Sequence, residues 1–101
     1  MTERAGLKFD GNKVRMDLVF DGMPNALEGL GQVLTFGARK YAAHSWRQVE
    51  EGRERYKAAL IRHLIAHAKG EKLDPESGLP HLAHALCNSA FIYELDIVEG
   101  E

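Results

Sequence analysis

The chain has 101 residues, 45% of them hydrophobic and 28% charged, the composition of one ordinary globular domain rather than a two-domain enzyme or a disordered tail. No apolar stretch approaches the roughly 20 residues needed to span a bilayer. A formal net charge of −2 argues against general binding of nucleic-acid polymers.

Charge is unevenly placed. From Arg39 to Lys72 nine Lys and Arg face four Glu, whereas Leu73 to Glu101 holds six acids and no Lys or Arg, so the basic middle suits a small polyanion. The single cysteine, Cys87, excludes an intramolecular disulfide and a C-x-x-C site, which fits a reducing compartment. Any metal is then held by His and carboxylates. With no apolar segment behind Met1-Thr2-Glu3-Arg4, a cytoplasmic location and no membrane partner are expected.

Residues 1–24 read as an irregular arm, in which Gly11-Asn12 is a turn signal for a small hairpin or an ordered arm. Residues 25–98 read as a helical body, the whole forming one domain over 1–101. Leu27, Leu30, Leu34, Ala38 and Tyr41 recur at steps of three and four, which predicts a first helix over about 25–43. Gly29, Gly31 and Gly37 each cost it about 1 kcal/mol relative to Ala, so either another backbone or a ligand comes close there, or the helix kinks. A second helix is expected from about Glu50 to Ala68, closed by Gly70. A third covers about 79–98, with Pro80 in its first turn. The expected fold is an all-α three-helix bundle. Apolar residues on more than one face of the third helix, including Leu82, Leu86, Phe91, Ile92 and Ile97, predict completion by a homodimer or homotetramer.

The five histidines fall between positions 44 and 84, and four of them carry the chemistry. His63 and His67 are spaced i, i+4 and His81 and His84 i, i+3, so each pair projects from one helix face, with Asn88 continuing the second stripe. If the helices pack antiparallel, these side chains meet across the seam with Asp74 and Glu76 at its end. The pattern supports a divalent metal site that activates water, with Asp74, Glu76, His81 and His84 as ligands. It equally supports an imidazole-lined phosphate pocket helped by Arg62, Lys57 and Arg53, or a buried polar network that sets helix register. Around the first interhelix loop, Arg39, Lys40, Tyr41, Trp46, Arg47, Arg53 and Tyr56 combine aromatic planes with paired donors, as a nucleotide requires; alternatively Trp46 and Tyr41 cap the core. Lys8, Lys13 and Arg15 on the arm are further candidates for phosphate contacts.

The ordered string Leu34-Thr35-Phe36-Gly37-Ala38-Arg39-Lys40-Tyr41, then Ser45-Trp46-Arg47, Arg62-His63-Leu64, Gly70-Glu71 and Asp74-Pro75-Glu76-Ser77-Gly78-Leu79-Pro80-His81-Leu82-Ala83-His84-Ala85 resembles the phage-associated dATP/dGTP diphosphohydrolase N-terminal domain family. That family is related to MazG-like all-α nucleotide pyrophosphohydrolases. The resemblance covers about residues 7–95, including Lys8-Phe9-Asp10 and Lys13-Val14-Arg15-Met16-Asp17-Leu18 of the head. It implies a MazG-like helical bundle that hydrolyses purine (deoxy)nucleoside triphosphates to monophosphate and pyrophosphate with a divalent cation, Mg2+, Mn2+ or Co2+, in the host cytoplasm if the protein is phage-encoded. MazG-like enzymes hold magnesium with E-x-x-E and E-x-x-D helices. Here Glu50, Glu51 and Glu54 stand only at the start of the second helix, and His81-Leu82-Ala83-His84 occupies the place of E-x-x-D.

Two functions of different classes follow. As a hydrolase, the chain would use His63, Asp74, Glu76, His81 and His84 for catalysis, with Arg62, Lys40, Arg47 and Lys13 as phosphate clamps and Arg15, Tyr41, Trp46, Asn88 and Lys8 completing the nucleotide site. As a non-catalytic module it would bind a nucleotide and return it unchanged, a sponge for a host signalling nucleotide. A transition-metal phosphohydrolase of the HD type is a third class, but no His-Asp dipeptide is present.

Overall fold

The computed structural model describes residues 10–100. It contains four helices, α1 (Met16–Gly22), α2 (Pro24–Lys40), α3 (Gly52–Ala68) and α4 (His81–Gly100), with a 3-10 turn at Ser45–Gln48 between α2 and α3. There is no strand among the described residues, only one isolated bridge between Leu73 and Pro80, so the all-α expectation holds. The three predicted helices are α2, α3 and α4.

The arm departs from expectation. Past the Gly11-Asn12 turn, where Lys13 N–H donates to Asp10 O at 3.0 Å, the chain forms α1 rather than the return strand of a hairpin. Seven residues of helix gain little from local bonds alone; α1 buries none of its residues and leads into α2 through Met23, whose N–H donates to Val19 O and whose carbonyl accepts from Leu27 N–H. Pro24 begins α2, supplying a preset φ and no orphan N–H.

α3 and α4 form an antiparallel hairpin whose register is read from its contacts. The Tyr56 ring lies 4.8 Å from Phe91 and the His63 ring 4.7 Å from His84, while a Cβ on Gly52 would stand 3.5 Å from Leu95 Cδ1. Val33, Ala85, Cys87 and Leu95 are the buried apolar residues. At the open end, Trp46 stacks on Phe91 at 4.3 Å and 13° between planes, and the Tyr56 hydroxyl donates to Trp46 O at 2.8 Å. This fixes the loop before α3, including His44 and Glu51, which both adopt left-handed φ.

Of the three glycines singled out in the first helix, Gly29 is where a neighbour approaches, with Ala83 Cβ 3.4 Å from the position its Cβ would take. α2 packs on α4 there. Gly31 and Gly37 have nothing within 4 Å of that position.

The link between α3 and α4 is tightly ordered. Gly70 takes φ +101°, its N–H donates to His67 O, and Glu71 N–H donates back to Ala66 O, a Schellman closure that sets where Glu71 points. The remaining turn is pinned by Asp74 N–H to Leu79 O at 2.8 Å and His81 N–H to Lys72 O at 2.9 Å, with Gly78 at φ +73°.

Candidate functional site

That turn and the two helices it joins bring four of the predicted residues together. His81, the first residue of α4, is buried. Its Nε2 lies 2.7 Å from Glu71 Oε1 and its Nδ1 2.8 Å from His63 Nδ1. A carboxylate can only accept, so His81 Nε2 carries the proton and His81 Nδ1 presents a lone pair toward His63.

A second chain of bonds runs through Ser77. Its N–H and hydroxyl both donate to Asp74 Oδ2 at 2.9 Å, while Leu79 N–H donates to the Ser77 Oγ at 3.1 Å. His84 Nε2 stands 2.7 Å from the same oxygen. With the one hydroxyl proton directed to Asp74, the Nε2–H of His84 is the donor to Ser77, and His84 Nδ1 keeps its lone pair. The His63 and His84 rings stack with 11° between planes, and Phe36 of α2 meets His84 edge-on at 6.4 Å.

Burial shapes the charge states. It pushes the His63 imidazole below its usual value, reinforced by His84 and His81. His84 is also lowered, by burial first, with Asp74 opposing. For Asp74 burial works against ionisation, but the two donors of Ser77 and the neighbouring His84 and His63 outweigh it, and its carboxyl falls below the usual carboxylate value. The result favours an anionic Asp74 beside neutral His63 and His84 imidazoles at pH 7.

His63, Asp74 and His81 each offer one ligand atom, all within 4.8 Å of one another. Two imidazole nitrogens and one carboxylate oxygen suit Mn2+, Co2+ or Zn2+, whereas Mg2+ prefers an all-oxygen shell. The Glu71–His81 hydrogen bond supplies the orienting partner that metal-bound imidazoles use.

A family model described as dATP/dGTP diphosphohydrolase, N-terminal, matches residues 3–101. The chain belongs to this family. A dATP/dGTP diphosphohydrolase of Salmonella phage PMBT28 is 34% identical over 91 residues, which is 90% of this chain and 30% of that relative. The chain therefore spans about a third of the relative's length. No solved structure gives a significant match.

Within this family member, the other predicted site residues are distributed as follows. Glu76 pairs with Lys40 at the end of α2 and is not part of the mutually close ligand group of His63, Asp74 and His81. His67 and Asn88 share no hydrogen bond with the cluster histidines, Asn88 being buried in α4. Arg62 is exposed beside His63 on α3, and Tyr41 is 71% exposed. Trp46 stacks on Phe91, with the Arg47 guanidinium 5.0 Å from the centre of its ring. Arg15 pairs with Asp17 at 2.7 Å, Arg53 with Asp96 and Glu99 on α4, and Lys13 is exposed. Lys8 lies outside the described residues. Glu71 and Ser77 are hydrogen-bonded partners of the cluster that the spacing of histidines did not reveal; the signal for Glu71 was its place directly after the helix-ending Gly70.

Proposed function

We propose that this chain is a nucleoside triphosphate diphosphohydrolase domain that converts purine (deoxy)nucleoside triphosphates to the monophosphate and pyrophosphate. The observation that carries it is the His63, Asp74, His81 group, mutually within 4.8 Å, in a chain of this family. One ring nitrogen each of His63 and His81 and an Asp74 oxygen would hold a divalent cation in place of the His63–His81 hydrogen bond, with Mn2+ or Co2+ fitting better than Mg2+. Bound there, the cation supplies Lewis-acid polarisation of a phosphoryl group. His84, kept neutral by burial, offers a basic nitrogen to take the proton of a water attacking the α phosphorus. The bond from that phosphorus to the bridging oxygen breaks and pyrophosphate leaves. Arg62, exposed and next to His63 in sequence, and Lys40, once released from Glu76, would donate to phosphate oxygens. A homodimer or homotetramer supplies the remaining cover for the apolar faces.

The test is incubation with a panel of deoxynucleoside, nucleoside and cyclic nucleotides and each of the three cations, with chromatography of the products. Monophosphate plus pyrophosphate, lost in Asp74→Asn while the helical circular dichroism spectrum is kept, is the expected result. One observation favours a second reading: His63 and His81 already bond to each other at 2.8 Å, closing the cluster without an ion. A nucleotide depleted from solution and recovered intact on denaturation would replace the hydrolase with a sequestering module.

A further inference from the structure

α2 carries polar side chains that its packing on α4 does not use. Gly29 faces α4 at Ala83. Glu28, Gln32, Thr35 and Arg39 recur at steps of four, three and four, which places them along one side of the helix. The Thr35 hydroxyl is spent on its own helix, donating to Gly31 O at 2.8 Å. Glu28, Gln32 and Arg39 make no side-chain hydrogen bond or ion pair with any described residue, whereas the neighbouring Lys40 is paired with Glu76.

This stripe is one wall of a groove of about 550 Å³, with Phe36 beside it and Ser77 and Leu79 of the connecting turn forming the other wall. That volume lies within the range of small-molecule sites, about 300–1,000 Å³. Gly31 lines the groove, and nothing stands within 4 Å of where its Cβ would be. A mid-helix glycine without a close protein neighbour is accounted for if another molecule takes that space.

The groove is polarised. At one end stands Arg39, next to Lys40, whose partner Glu76 directly precedes Ser77, the residue that bonds both Asp74 and His84. At the other end Glu28 is eleven residues back along α2, roughly 16 Å at about 1.5 Å per residue. A carboxylate accepts only, an amide both donates and accepts, and a guanidinium donates only. That order matches a molecule with N–H donors at one end and phosphate oxygens at the other.

Building on the nucleotide reading above, we infer that this groove seats the nucleoside half of the substrate, its base edge on Glu28 and Gln32 and its phosphates at Arg39, so that the phosphate chain runs past Ser77 to His63, Asp74 and His81. Phe36 offers an apolar face between the two ends. Residues 28, 31, 32 and 39 then determine which nucleotide is held, while the histidine cluster acts on whichever phosphate chain is delivered.

The experiment compares two variants with the unmodified chain by calorimetric titration in Mn2+. The probes are dGTP with a methylene bridge between its α and β phosphates, which resists cleavage at that bond, and inorganic tripolyphosphate. Gly31→Leu places a better helix former in open space, so its melting temperature is expected to be no lower than that of the unmodified chain. Gln32→Ala changes an exposed residue and keeps the fold. Both are expected to weaken binding of the nucleotide analogue about tenfold or more, with tripolyphosphate binding unchanged. If both variants bind the analogue as tightly as the unmodified chain, the groove assignment is overturned and the nucleotide reading stands. If the unmodified chain binds neither probe, the nucleotide reading itself fails and the groove assignment goes with it.

Discussion

Glu71 decides which nitrogen of His81 is available. By accepting the Nε2 proton at 2.7 Å it leaves the Nδ1 lone pair directed at His63, the orientation a metal would require. In Glu71→Gln the amide can donate as well as accept, and the tautomer is no longer fixed. Mn2+ binding by calorimetry is expected to weaken about 10- to 100-fold with little loss of stability, since the Glu71 side chain is 54% exposed; an unchanged affinity would remove Glu71 from the site. The same residues set a pH dependence. His63 and His84 have folded-state values below the ordinary 6.5, so the unfolded chain takes up their protons first as pH falls. Stability is then full above about 6.5 and declines from there toward the folded values. Asp74 is depressed below 3.8, so its contribution is present above that value and is lost as pH falls through its lower folded value. Urea midpoints measured from pH 8 to pH 3 are expected to show an early decline that His63→Asn with His84→Asn removes, leaving the later one.

Among the elements, α2, α3 and α4 were legible because their apolar residues keep the helical period and Gly70 marks a stop. α1 was not, because seven residues carry too little period to outweigh a Gly-Asn turn signal. The cluster was legible in the spacing of His63, His81 and His84 and in the helix-joining position of Asp74. Glu76, two residues past Asp74 on the turn, pairs with Lys40, a partner that the spacing of acids and histidines does not reveal. Glu71 and Ser77 were missed because backbone geometry rather than helical phase aims them. The α2 glycines divide in the same physical way. Gly37→Ala adds a methyl to open space and is expected to stabilise by up to about 1 kcal/mol. Gly29→Leu, against Ala83 Cβ at 3.4 Å, is expected to destabilise by about 1–3 kcal/mol through overpacking. Urea denaturation of the two variants distinguishes these signs.

The whole molecule is extended, 54 × 36 × 25 Å with a radius of gyration of 17.4 Å, against about 13 Å for a compact chain of about 100 residues. No helix among the described residues is long and apolar enough to cross a membrane. Yet Leu82, Leu86, Tyr93 and Ile97 are 40–70% exposed and recur on α4 at steps of four, seven and four, a stripe that self-association would cover. Light scattering coupled to size exclusion is expected to give at least a dimer mass, reduced toward the monomer by Leu86→Glu; a monomeric unmodified chain at micromolar concentration would refute this. Every side chain of the histidine cluster belongs to the α3–α4 hairpin, within residues 63–84, and α2 contributes only the edge contact of Phe36. Such sequence-local contacts form early in folding, so the histidine cluster can assemble before α2 docks. On the proposed reading, selectivity and reactivity lie on different segments, so mutation along α2 would exchange one ligand for another while the hairpin that holds the cluster is passed on unchanged.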